Sequence, residues 1–258
     1  MLLHSTTRGS GPHLILLHGL FASANNWRGV AQRLENRFAV TAFDLRNHGQ
    51  SPWSDTMDYG AMAEDVAESL GALGTRPAWV VGHSMGGKVG MELAVRRPGL
   101  VAGLVIGDIA ARAYRPEHGA ILRALNALNL ARHTGREEVD AALRADIPEA
   151  AVRHFLLTNL KRSEGGAFRW RVNLKAITAA YPRLLEEVAR EGLYAGPTLV
   201  LSGGRSRHVR DEDEAPMRQK FPHCVFRRIP TAGHWVHADA PEEFVGAILH
   251  FIRSTTAG

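Results

Sequence analysis

Gly82-His83-Ser84-Met85-Gly86 puts a serine midway between two glycines. A serine so flanked can sit on a sharp strand-to-helix turn, because small residues two places away let the chain pass without a clash. The flanks fit. Residues 78–82 are an apolar run of the kind that makes a buried strand, and residues 84–97 have helical spacing up to Pro98-Gly99. Such a turn lifts the hydroxyl above the sheet edge and places a helix N-terminus beneath it, which favours developing negative charge. The chemistry on offer is nucleophilic attack by Ser84.

A serine hydroxyl is a poor nucleophile without a base. The chain has 13 histidines, so position must choose among them. His234 lies in Thr231-Ala232-Gly233-His234-Trp235, after the last strand and before the last helix, on the sheet edge expected for Ser84. His237 competes with it. His18 and His83 adjoin their motifs as neighbours rather than bases. The base in turn needs an acid to hold its tautomer. Asp108 ends the apolar run 100–107, whereas the stretch after residues 198–202 has no carboxylate until Asp211, with Asp213 close behind. Asp211 opens an acidic run that resembles the first turn of a solvated helix, so Asp108 is preferred. The order Ser84, Asp108, His234 along the chain suits this architecture.

An oxyanion requires backbone donors. The amides of Met85, directly after the nucleophile, and of Leu20, after the first buried strand, are the candidates. The side chains of Phe21 and Met85 would line the acyl pocket. Candidate substrate contacts are Phe21, His83, Phe155, Trp170 and Trp235.

These residues need a scaffold. Short apolar runs at 13–18, 38–43, 78–82, 100–106, 198–202 and 224–229 alternate with helical stretches at 58–73, 84–97 and 241–253. Met62, Val66 and Leu70 form one helical stripe; Phe244, Ile248 and Ile252 form another. The alternation predicts βαβ units and a mostly parallel sheet with helices on both faces, an α/β fold. It breaks between about 111 and 192, where helix follows helix. Ile121, Leu122, Leu125 and Leu128 mark the first. Thr134 with Glu137 reads as a capping box for the second, Pro148 opens a third that carries Phe155, and Pro182 precedes a last one. An all-helical insert is expected to cover the carboxyl ends of the strands. The expected organisation is a core of residues 1–110 and 193–258 with a helical cap at 111–192.

Composition excludes other classes. With 258 residues, 45% hydrophobic and 22% charged, the chain can build a large core. No apolar stretch approaches the length of a membrane span, and no signal peptide is read at the N-terminus. The net charge is +5, but the arginines are scattered among carboxylates, so a solvated basic surface is preferred to a nucleic-acid site. The single cysteine, Cys224, allows no internal disulfide or multi-cysteine zinc site, and it favours a reducing, cytoplasmic setting. No cofactor or metal is expected, and the chain is read as a monomer or homodimer acting on a small-molecule ester.

Four segments carry a resemblance: Leu-His-Gly-Leu-Phe at 17–21, Asp-Leu-Arg-Asn-His-Gly-Gln-Ser at 44–51, Gly-His-Ser-Met-Gly-Gly-Lys at 82–88 and Ala-Gly-His-Trp-Val-His-Ala at 232–238. They resemble the α/β-hydrolase superfamily. Lys88, the Asp108-Ile109-Ala110 run, Gly-Gly-x-Ser at 203–206 and Phe168–Asn173 are most similar to its YbfF-type esterases. The resemblance covers almost the whole chain. It implies a serine esterase of short- to medium-chain acyl esters, with acyl-CoA thioesters as an extension. It also implies an acid at Asp108, since Ser206 occupies the usual position after the seventh strand. The alternatives are C–C hydrolysis, lyase chemistry or perhydrolysis by the same triad, and a non-catalytic ligand receptor on the same fold.

Overall fold

The computed structural model describes residues 1–75 and 77–256. The elements, in chain order, are β1 Ser5–Arg8, β2 His13–Leu17, α1 Arg28–Leu34, β3 Ala39–Phe43, α2 Tyr59–Ala72, β4 Ala78–His83, α3 Met85–Arg96, β5 Val101–Gly107, α4 Gly119–Ala127, α5 Arg136–Leu143, α6 Ala150–Leu157, β6 Leu160–Arg162, β7 Phe168–Trp170, α7 Leu174–Leu184, β8 Thr198–Gly203, α8 Glu214–Lys220, β9 Cys224–Ile229, α9 Val236–Asp239 and α10 Pro241–Thr256.

Seven strands form one sheet in the order β1-β3-β2-β4-β5-β8-β9. All pair in parallel except β1, which runs antiparallel on the edge beside β3. The buried strands have apolar residues on both faces, as a sheet covered on both sides requires. Ile15, Leu17, Val80, Leu104, Ile106 and Val200 point into one core with α2 and α3. Their neighbours Leu14, Leu16, Val81, Val105, Leu199 and Leu201 point into the other, with α1 and α10. The two predicted helical stripes each pack as read: Met62, Val66 and Leu70 in the first core, Phe244, Ile248 and Ile252 in the second. Each fully buried aliphatic side chain contributes about 1.5–3 kcal/mol relative to exposure.

The chain departs from the sheet after β5 and returns at β8. The intervening segment is not all-helical: β6 and β7 form an antiparallel hairpin around Gly165-Gly166. Pro182 lies inside α7 rather than ahead of a further helix, and residues 187–190 carry no regular structure. The partner of Thr134 is Glu138, whose carboxylate accepts from the Thr134 amide at 2.8 Å and its hydroxyl at 3.0 Å. The outgoing and returning connections are bonded to each other. Val188 N donates to Ala111 O at 2.9 Å, and Tyr114 N donates to Leu185 O at 2.8 Å. Lys88 on α3 clamps both: its buried ammonium donates to Arg112 O at 2.9 Å and Glu186 O at 2.5 Å. Burial and the nearby Arg112 cation lower this ammonium to about 7.

Candidate active site

Ser84 connects β4 directly to α3, with φ 52° and ψ −118°. A non-glycine residue there costs on the order of 1–3 kcal/mol, so the surroundings must enforce it. They do so by close packing. A Cβ on Gly82 would run into the Gly86 carbonyl, and a Cβ on Gly86 into the Leu17 carbonyl. Ser84 N donates to Gly107 O at 2.9 Å, and Ser84 O begins the α3 ladder by accepting from Lys88 N at 3.1 Å. The hydroxyl is thereby raised at the carboxyl edge of the sheet.

Asp108 follows β5, also at positive φ, 48°. Its carboxylate is fully buried. Oδ1 accepts from Gly203 N at 2.9 Å; Oδ2 accepts from the Ser206 hydroxyl and lies 2.7 Å from His234 Nδ1. The proton of that last bond belongs on Nδ1, which leaves Nε2 as the basic nitrogen. Asp211 points elsewhere, pairing with Arg228 at 2.6 Å, and Asp213 accepts from Arg112 Nε at 2.9 Å. Among the described residues Ser84 and His234 share a cavity without a mutual hydrogen bond. Such contacts commonly close only around a bound substrate.

His237 does not meet Asp108. Its ring lies 4.5 Å from Trp27 and 4.6 Å from His83, its Nδ1 is buried without a partner, and burial lowers it to about 4. His83 donates through Nε2 to the His234 carbonyl at 2.8 Å, which ties the elbow to the histidine loop; burial holds its pKa well below the ordinary value.

The loop after β2 is held by two buried histidines. His48, buried and lowered to about 3 by burial, uses Nε2 to accept from Phe21 N at 3.2 Å. His18 Nε2 accepts from Leu45 N at 2.9 Å. Phe21 sits at φ 61°, and its carbonyl accepts from Asn159 Nδ2 at 2.6 Å. The Phe21 amide is thus spent within the protein, while those of Leu20 and Met85 donate to no acceptor among the described residues. Two free N–H groups beside Ser84 are what an oxyanion needs.

A cavity of about 360 Å³ opens over this edge. Ser84, His234, Leu20, Phe21, His83 and Trp235 line it from the core, and His118, Ile121, Val152 and Phe155 from the inserted segment. Phe155 and Trp235 meet at a ring separation of 5.6 Å. Trp170 is not brought to the cavity; it pairs with Leu160 in the hairpin and packs on the core. Trp170 sits on a three-residue strand, where aromatic character alone does not give direction.

His208 was missed by sequence reasoning. Its ring stacks on His234 at 3.8 Å and 20° between planes, with Nδ1 3.3 Å from the Ser206 hydroxyl. Burial, then repulsion from His234, lowers it to about 4, so a neutral ring lies against the histidine pair. Asp108, His208 and His234 bring ligand-type atoms within 4.8 Å of one another. His234 Nδ1, however, is bonded to Asp108 Oδ2 at 2.7 Å and carries the proton of that bond, so it has no lone pair to offer a metal ion there. The only advance signal was Ser206-Arg207-His208 lying on a strand-end loop.

The geometry can be set against known proteins. A family model described as the alpha/beta hydrolase fold matches residues 12–241. The chain is 38% identical over 249 residues to the sn-1-specific diacylglycerol lipase ABHD11 of Mus musculus, covering 93% of this chain and 81% of that protein. It is 33% identical over 243 residues to esterase YbfF of Escherichia coli strain K12, covering 93% and 92%. Among solved structures, a marine microorganism esterase superposes with a TM-score of 0.95 at 34% identity, covering 97% and 99% of the two chains.

Proposed function

The chain belongs to the α/β-hydrolase family and is a serine ester hydrolase of the carboxylesterase type, and from that premise we propose that Ser84, His234 and Asp108 are its catalytic triad. His234 Nε2 takes the Ser84 proton as Oγ attacks the ester carbonyl. The carbonyl oxygen, now charged, is received by the amides of Leu20 and Met85. His234 returns the proton to the departing alcohol, leaving an acyl-serine. Water then repeats the cycle and releases the acid. Asp108 keeps the proton of His234 on Nδ1 and stabilises the imidazolium. The segment of residues 111–192 acts as a cap over residues 1–110 and 193–258, closing the cavity from above.

One observation carries this reading. Ser84, strained at φ 52°, and His234, held 2.7 Å from a buried carboxylate, face the same cavity. Short- to medium-chain acyl esters are the proposed substrates, and acyl-CoA thioesters are a testable extension. No helix among the described residues is long and apolar enough to cross a membrane. A cytoplasmic setting is proposed on the lone cysteine, Cys224. The test is hydrolysis of p-nitrophenyl butyrate with fluorophosphonate labelling. Wild type should turn over and be labelled at Ser84, and Ser84→Ala should lose about 10³-fold or more of its activity while remaining folded. Labelling at another serine overturns the assignment.

A further inference from the structure

Two spaces of unequal size open from Ser84. The larger is the cavity of about 360 Å³ already described; the smaller is about 60 Å³. Leu20, Ser84 and His118 border both. His234 borders only the larger, whereas Met85, Ile109, Tyr114, Tyr181 and Leu184 border only the smaller. His208, which also borders the smaller space, stacks on the His234 ring at 3.8 Å and so screens that ring from it.

This asymmetry fixes direction, given the reading of Ser84 as nucleophile and His234 as base, on which the inference rests. When the tetrahedral intermediate collapses, the bond from the carbonyl carbon to the alcohol oxygen breaks. That oxygen takes its proton from His234 Nε2 and must therefore lie within hydrogen-bond reach of it. The carbonyl oxygen is committed to the Leu20 and Met85 amides. The alcohol then lies in the space that His234 borders, and the acyl chain takes the direction that remains, past Met85.

We propose that the small space is the acyl site and the large apolar cavity the alcohol site, so that the preferred substrates join a short acyl group to a bulky apolar alcohol. A space of about 60 Å³ is too small for a long acyl chain, so the acyl group it takes is short. The alcohol site is the larger, with Phe155, Ile121 and Trp235 as apolar walls.

Two ester series test this with the wild-type enzyme. In ethyl esters of growing acyl length, kcat/KM should fall about tenfold or more between butanoyl and decanoyl. In acetate esters of growing alcohol length, it should rise or hold within about threefold from ethyl to octyl. Leu184→Ala, on the small space, should move the acyl limit outward by about two carbons and keep the shape of the alcohol profile. Phe155→Ala should change the alcohol profile alone. The mirrored pattern, or two flat profiles, would overturn the assignment of the two spaces. The catalytic reading is scored separately by fluorophosphonate labelling. If neither series is hydrolysed and Ser84 is not labelled, both fall. If hydrolysis depends on Ser84 but the pattern is mirrored or flat, only the assignment of the spaces falls.

Discussion

The strand-end loops and the inserted segment both face the large cavity, but they are built by different means. In the loops, the candidate site residues and their neighbours are fixed by hydrogen bonds and crowded glycines. Ser84 is held by Gly107 and the α3 ladder, Asp108 by Gly203 N and Ser206, and the Phe21 amide by His48. Three of these residues, Phe21, Ser84 and Asp108, stand at positive φ. In the insert, the cavity is lined by side chains of α4 and α6, and Asn159 bonds the segment to the loop after β2. On the proposed reading, backbone geometry sets the chemistry and replaceable apolar side chains set what enters. Changes in the loops should therefore act on turnover, and changes in the insert on substrate choice.

The hardest test of that division is Asp108→Asn. The amide cannot keep the His234 tautomer, so kcat should fall about 10²–10⁴-fold with little change in KM. Asp211→Asn, on the exposed pair with Arg228, should change kcat by less than about threefold. Steady-state kinetics on both variants decides, and equal losses would break the division. Ser206→Ala removes one of the donors to Asp108 and should lower kcat about tenfold, the worth of one hydrogen bond to a charged group. Phe155→Ala should cost about threefold in kcat/KM on long-alcohol acetates while leaving kcat near wild type, because it removes binding common to ground and transition states.

The smallest effect is silent at neutral pH. His237 is lowered to about 4 when folded, against about 6.5 for an unperturbed histidine. Between those values the unfolded chain binds more protons, so stability falls as pH drops from about 6.5 and levels off below about 4. Urea unfolding at pH 7 and pH 5 should show a smaller acid loss for His237→Phe than for wild type. An equal or larger loss would mean that His237 is not held neutral by its packing against Trp27.

The placement of Ser84, Asp108 and His234 at one edge of the sheet was legible because each depends on a local pattern, a strand running into a tight turn. The parallel order was legible for the same reason, since buried strands on both faces leave continuous apolar runs. The edge strand β1 was not, because Ser5–Arg8 is mostly exposed and polar. The β6–β7 hairpin was not, because three-residue strands have no periodicity to detect. His208 and Trp170 show the same limit in opposite directions. The direction of Trp170 depends on how the insert folds back, and that of His208 on how the loop after β8 turns toward His234; no local spacing reports either.

The bonded crossings at the root of the insert have an evolutionary consequence. Ala111 and Val188 sit across a single hydrogen bond, so the segment between them leaves the core and rejoins it at nearly one point. None of Ser84, Asp108 and His234 lies within it. Recombination that exchanged this segment would need to match that junction, the Lys88 clamp beside it and a few bonds such as that of Asn159 to Phe21. A lineage could therefore diversify its substrates by swapping a cassette, while inheriting the reactive machinery unchanged.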